Sequence, residues 1–203
     1  MKAIIFDTET TGLPLPKTAP LEKQPRIIEL GALVVDKNGP VASLNQLIDP
    51  GVEITAEITK ITGITQEQLK GQISFKDFLP QLKEFFAGAD FLIAHNAPFD
   101  KRMLELDLER CECTDFPWPE QTICTVQEFR SEFGKRPKLL ELYEHVMGEP
   151  LMQTHRALDD VKALYAAIEK NGFLSMLLGE SDKWAEAVKE EEEQPDDPVE
   201  GED

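Results

Sequence analysis

The sequence predicts an α/β fold: a central mixed sheet of five strands flanked by helices. Two observations predict it. An apolar run at the start is followed by two more strand-like segments joined as a hairpin, and beyond them strand-like and helix-like segments alternate, as parallel crossovers require. At 203 residues and 41% hydrophobic content the chain can bury one sizeable core.

Taken in order, the first strand spans about residues 2–8, within "MKAIIFDTETTGLP". "LPLPKTAPLEKQP" has four prolines in thirteen residues, which makes it a loop. "IIELGALVVD" (27–36) and "VASLNQLID" (41–49) are strands, joined through "DKNGP" with Asn38-Gly39 expected at the turn centre. "PGVEITAEITKITGITQEQL" reads as short helical turns, Thr65 capping one of them. In "SFKDFLPQLKEFFAGA", Ser74 and Asp77 form a cap and Phe75, Phe78, Leu82 and Phe86 recur at helical spacing. Pro80 predicts a kink or a late start.

"DFLIAHN" is the fourth strand, "PFDKRMLELDLERC" a helix and "TICTV" the fifth strand. "KLLELYEHVMG" and "RALDDVKALYAAIEKNG" are helices closed by Gly148 and Gly172, and a last helix is expected from about Phe173 to Lys189.

The formal net charge is −18, and the 24 residues from Glu180 to Asp203 supply more than half of it, with twelve acids against two lysines. "KEEEEQPDDPVEGED" has no aromatic residue to bury and is expected to be a disordered tail. The domain is therefore placed at 1–179, and the end of the last helix with the tail at 180–203. No apolar run approaches the roughly 18 residues of a membrane span, and no export signal is evident, so a cytoplasmic protein is expected. Cys111, Cys113 and Cys124 lack the usual spacing of a structural zinc site. The acidity itself argues against a nucleic-acid partner, since phosphates are normally met by Lys and Arg. Only bound cations or a local basic patch would offset it.

Asp7 and Glu9 are two apart at the end of an apolar strand, so both project from one face of the sheet. Their repulsion is relieved either by solvent or by a cation. In "THRALDDVKALYAAIEK", Ala157, Val161, Leu164 and Ile168 form an apolar stripe; Asp160 lies about 70° from its centre and Asp159 nearly opposite. Asp160 is thus expected on the edge of the buried face and Asp159 in solvent. Asp100, in "LIAHNAPFDKRML", follows the end of a strand, where ligands of open α/β sheets collect, although an acid in a first helical turn also simply favours the helix dipole. His155 can act with Asp160 only from the loop that leads into the helix. Four carboxylates offer oxygen ligands suited to hard cations such as Mg²⁺ or Mn²⁺, and several acids sharing a site fit a pair of ions.

"FDTETTG", "HNAPFD" and "HRALDD" resemble, in order and type, the three motifs of the DEDDh 3′ to 5′ exonucleases, the group that includes the proofreading epsilon subunit of bacterial DNA polymerase III. The resemblance covers roughly residues 1–172 and extends to "PRIIELGALVVD". It implies a ribonuclease H-like fold, two divalent cations (Mg²⁺, or Mn²⁺ in its place) held by Asp7, Glu9, Asp100 and Asp160, and His155 as the general base that activates water. By the same resemblance Thr10, Thr11 and Leu13 meet the 3′-terminal nucleotide, and Asn96 and Phe99 shape the groove; Phe99 reads equally as core. The loop 13–25 is longer than the family's, and either extends the groove or is passive.

The implied activity is hydrolysis of single-stranded DNA or DNA 3′ ends to nucleoside 5′-monophosphates. An RNA-trimming exonuclease shares the motifs, and a non-catalytic nucleic-acid-binding module shares the fold. No polymerase or other protein partner is visible in the sequence.

Overall fold

The computed structural model describes residues 1–179. β1 (Lys2–Thr10), β2 (Ile27–Asp36) and β3 (Gly39–Asp49) form an antiparallel meander. Then come α1 (Ala56–Thr62), α2 (Gln66–Leu69), β4 (Ile73–Ser74), α3 (Phe75–Phe86), β5 (Phe91–Ala94) and α4 (Ala97–Arg110). They are followed by β6 (Gln121–Cys124), α5 (Thr125–Glu128), α6 (Arg130–Phe133), α7 (Leu139–Met147), α8 (Ala157–Lys170) and α9 (Phe173–Gly179). The sheet order is β4-β3-β2-β1-β5-β6, with β5 and β6 parallel to β1 and β4 parallel to β3.

The α/β class and the mixed sheet agree with the sequence reading, but among the described residues the strands number six. The unforeseen β4 has only two residues, paired to Ile48 and Asp49, so its identity comes from its neighbour rather than from its own pattern. The hairpin turn is shifted by one residue: Asp36 pairs with Gly39, leaving Lys37 and Asn38 as the loop, and the Asp36 carboxylate accepts from the Asn38 amide at 2.7 Å. Pro80 neither delays nor ends α3, which begins directly after its Ser74 cap. Both Pro80 and Lys76, whose carbonyl is left without its helical donor, lie on the exposed side of that helix. The expected helix to Lys189 is seen to Gly179; its remainder and the acidic tail lie outside the described residues. Among the described residues no helix is long and apolar enough to cross a membrane.

Strand alternation divides the core into two layers. Ile4 and Phe6 of β1 pack on the side of α3 and α4, whereas Ala3 and Ile5 pack on the side of α8. Continuing that alternation, Asp7 and Glu9 face the α8 layer and Thr8 faces the α4 layer. The registered pairs of β1 and β5 end at Ile5 and Ile93, so Asp7 emerges where the two parallel strands stop.

Candidate active site

Carboxylate oxygens of Asp7, Glu9 and Asp160 lie within 4.8 Å of one another. Asp160 is buried at 7% exposure on the edge of α8, while Asp159 is exposed, as the direction of the apolar stripe requires. Asp100 reaches the same sheet end from the opposite layer. Its side chain is 2% exposed, and one oxygen accepts from the Thr8 amide at 3.0 Å and the Thr8 hydroxyl at 2.8 Å. It stands outside the three-acid group but close enough to act on it. After enclosure by the chain, the Asp100 charge is the largest influence raising the Asp7 carboxyl well above its ordinary range.

The same physics governs the other acids. Burial, then the charges of Asp160 and Glu29, push Glu9 up to about 8. Burial pushes Asp100 up to about 7 against the opposing Thr8 hydrogen bonds, and burial also raises Asp160. Carboxyls held this high in the fold and near 4 in an unfolded chain bind more protons when folded. Stability of the metal-free protein therefore falls as pH rises through the folded values. A melting temperature that declines from about pH 6.5 to 9 without divalent metal is the expected result. Saturating Mn²⁺ at the upper end should restore roughly 5–10 °C, because a cation that binds only the folded site stabilises it by mass action.

α8 is seated by residues that the motifs do not include. Glu29, fully buried on β2, accepts from Arg156 Nη2 at 2.6 Å, from Arg156 Nε at 2.9 Å and from the Ala157 amide at 3.1 Å. Two residues along the same face, Gly31 leaves room for the helix: a Cβ there would stand 2.3 Å from the Leu158 amide nitrogen. The absent side chain lets the first turn of α8, and with it Asp160, lie directly on the sheet. A charged residue within an otherwise apolar strand, followed by a glycine in the strand interior, is the sequence signal that could find this seat.

His155 sits on the lead-in loop, as a joint role with Asp160 demands, exposed and with φ of 51°. It lines a cavity of about 540 Å³ together with Asp7 and Asp160. Gln153, also on that wall, donates to Asp160 at 3.1 Å. Asn96 lines the same cavity in the left-handed conformation, φ 79°, at the N-terminus of α4.

The other expected substrate residues are placed less directly. The Thr10 hydroxyl donates to the Gly12 carbonyl and is buried; that of Thr11 accepts from the Arg26 amide. Thr11 and the 77% exposed Leu13 line a separate cavity of about 330 Å³, with residues from both ends of the proline-rich loop. Phe99 packs against the core. Gln24 bonds Leu15 and Pro16, and Arg110 at the end of α4 bonds the Leu21 and Gln24 carbonyls, so the loop is held in place, and none of its residues lines the acid cavity.

All the donors in the acid group are oxygens, and their enclosure and mutual repulsion are what a hard divalent cation relieves, so the residues fit such ions. The ribonuclease H-like sheet, with acids on β1, in the first turn of α4 and at the edge of α8, belongs with the DEDDh, DnaQ-like class of 3′ to 5′ exonucleases, as the relatives of the chain bear out. The profile of the exonuclease family RNase_T matches residues 4–168, and the chain belongs to that family.

It is 31% identical over 160 residues to the DNA polymerase III subunit epsilon of Treponema pallidum, covering 77% of this chain and 70% of that protein. It is 34% identical over 173 residues to a PolC-type DNA polymerase III of Clostridium perfringens, covering 85% of this chain. The chain spans only 11% of that polymerase's length. Among solved structures, the nuclease domain of 3′hExo, a DEDDh family member bound to rAMP, superposes with a TM-score of 0.68 at 18% identity, covering 85% of this chain and 94% of that one. Exonuclease X in complex with 5′ overhanging duplex DNA gives 0.58 at 25% identity, covering 84% and 93%.

Proposed function

We propose that this exonuclease hydrolyses the terminal phosphodiester of DNA, preferring single-stranded 3′ ends, and releases nucleoside 5′-monophosphates with two divalent cations and His155 as general base. The observation that carries it is the gathering of the Asp7, Glu9 and Asp160 carboxylates, two of which, Asp7 and Asp160, line a cavity with His155, while the Asp100 charge acts on Asp7. The 31% identity to a polymerase III epsilon subunit favours DNA.

Asp7, Glu9, Asp100 and Asp160 would hold the cations. When bound, these supply Lewis-acid stabilisation of the negative charge that builds on the phosphodiester oxygens. Thr8 fixes the Asp100 carboxylate, keeping it aimed from the opposite layer. An imidazole suits proton transfer near neutral pH, and His155, exposed at the cavity wall, is free to take the proton of the attacking water. Gln153 steadies one oxygen of Asp160. Hydroxide-like attack at phosphorus breaks the bond to the 3′ oxygen of the penultimate nucleotide, and the terminal nucleotide leaves carrying the phosphate at its 5′ position.

The test is a panel of 5′-labelled single-stranded DNA, duplex DNA and RNA with Mg²⁺ or Mn²⁺. Progressive shortening of single-stranded DNA supports the reading. Shortening confined to RNA assigns the RNA-trimming alternative, and stable binding with no shortening of any substrate assigns the non-catalytic one.

Glu29→Gln keeps the side chain's size but leaves Arg156 without its buried counter-charge. Activity is expected to fall roughly tenfold or more through displacement of the His155–Asp160 segment. Steady-state rates at saturating metal, with melting temperature measured in parallel, check this; unchanged rates would show that the Glu29 pair does not position the segment.

A further inference from the structure

We propose that Arg136 and Lys138 grip the phosphodiester backbone of the substrate strand on the 5′ side of the nucleotide being removed. This deepens the exonuclease reading above and rests on it. The stretch Lys135-Arg136-Pro137-Lys138 is a run of cations in a chain of net charge −18, and it sits at the acid cavity rather than away from it. Arg136 and Lys138 line the same space as Asp7, His155 and Asp160. Among the described residues neither forms an ion pair, whereas Lys135 is taken up by Glu141. Arg136 instead donates to the Asn96 side-chain oxygen at 2.9 Å, an uncharged partner that holds the guanidinium at the cavity.

The segment is also built in. His95, the residue after β5, bridges it to the sheet: Nε2 is 3.1 Å from the Pro137 carbonyl and Nδ1 3.0 Å from the Thr125 hydroxyl. A carbonyl only accepts, so Nε2 carries the proton and Nδ1 accepts from Thr125. Burial keeps His95 neutral, lowering it to about 4, so the bridge persists throughout the neutral range. Pro137 is buried while the cations on either side of it are exposed.

The acids and their cations serve the phosphate being cleaved. The next phosphates carry full charge into a protein whose own field repels them, and a pair of exposed cations that line the same cavity without a salt bridge among the described residues meets that need. This supplies the local basic patch that the acidic composition calls for.

The test compares wild type with Arg136→Ala/Lys138→Ala on two substrates: a short single-stranded oligonucleotide, as DNA and as RNA, and the p-nitrophenyl ester of thymidine 5′-monophosphate, which has only the phosphate to be cleaved. Lys60→Ala/Lys70→Ala, two exposed cations outside the cavity, controls for net charge.

The double variant should lower kcat/KM for the strand about tenfold more than for the ester. It should also reduce the salt dependence of log kcat/KM for the strand by about 1.4, roughly 0.7 for each phosphate no longer neutralised. Weakening on every strand that the wild type cleaves, DNA or RNA, assigns the backbone as the ligand, and a strand that the wild type and the double variant cleave equally well overturns that assignment. Equal effects on strand and ester, an unaltered salt slope, or the same change in the lysine control also overturn the proposal while the exonuclease reading stands. Failure of the wild type to cleave either substrate overturns that reading and the proposal together.

Discussion

Asp160→Asn is expected to lower exonuclease activity by about 10³-fold or more, while Asp159→Asn, its neighbour in the sequence, keeps most of it. The two side chains differ in direction: Asp160 is 7% exposed and shares the group with Asp7 and Glu9, and Asp159 is exposed and engages the Thr154 hydroxyl at 2.9 Å. The effect should not come from unfolding. Removing one charge from a mutually repelling group relieves the metal-free protein, so Asp160→Asn should melt no lower than wild type in chelator at alkaline pH. It should also forfeit much of the stabilisation by Mn²⁺. Rates and melting curves on the two variants test this, and comparable declines in both would mean that the helix is not oriented as described.

Gly31→Ala is expected to be the most damaging single methyl addition, destabilising the protein by about 3 kcal/mol or more and lowering activity with it. The added carbon would meet backbone, the Leu158 nitrogen at 2.3 Å and the Ala157 carbonyl carbon at 2.4 Å, and no side-chain rotation relieves that. The helix must rise from the sheet, breaking the Glu29 hydrogen bond to the Ala157 amide and moving Asp160 away from Asp7. Chemical denaturation measures the stability, with activity assayed well below the transition. A near-neutral result would mean that α8 does not press on β2.

The contrast between these residues shows what is legible in the sequence. The strand-borne acids and the α8 acid can be found because each sits in a periodic local pattern: alternation fixes the face of Asp7 and Glu9, and the apolar stripe separates Asp160 from Asp159. Asp100 is visible at its strand end, but that it reaches the site from the layer of α4, bonded to Thr8, emerges only once the sheet is assembled. Glu29 stands out as a charge inside "IIELGALVVD", but its role does not, because its partner is 127 residues away. His95 likewise reads only as a strand end, since its partners come from Thr125 and Pro137. Two-residue β4 and the one-residue shift of the hairpin turn escape for a related reason: strand pairing is decided by the neighbour. The proline-rich loop is recognisable as a loop, but the contacts that hold it come from Gln24 and from Arg110, 86 residues further on.

If the acids gathered around Asp7 make this chain a metal-dependent enzyme acting from the 3′ end, one assay exposes it. A 5′-labelled single strand of DNA is incubated with chelator-stripped protein, before and after Mn²⁺ is added, beside Asp7→Ala treated identically. No shortening is expected in chelator, then a ladder descending one nucleotide at a time with release of 5′-monophosphates once metal is present, and no ladder from Asp7→Ala. Shortening that proceeds equally in chelator, or equally with Asp7→Ala, would refute the metal-site assignment.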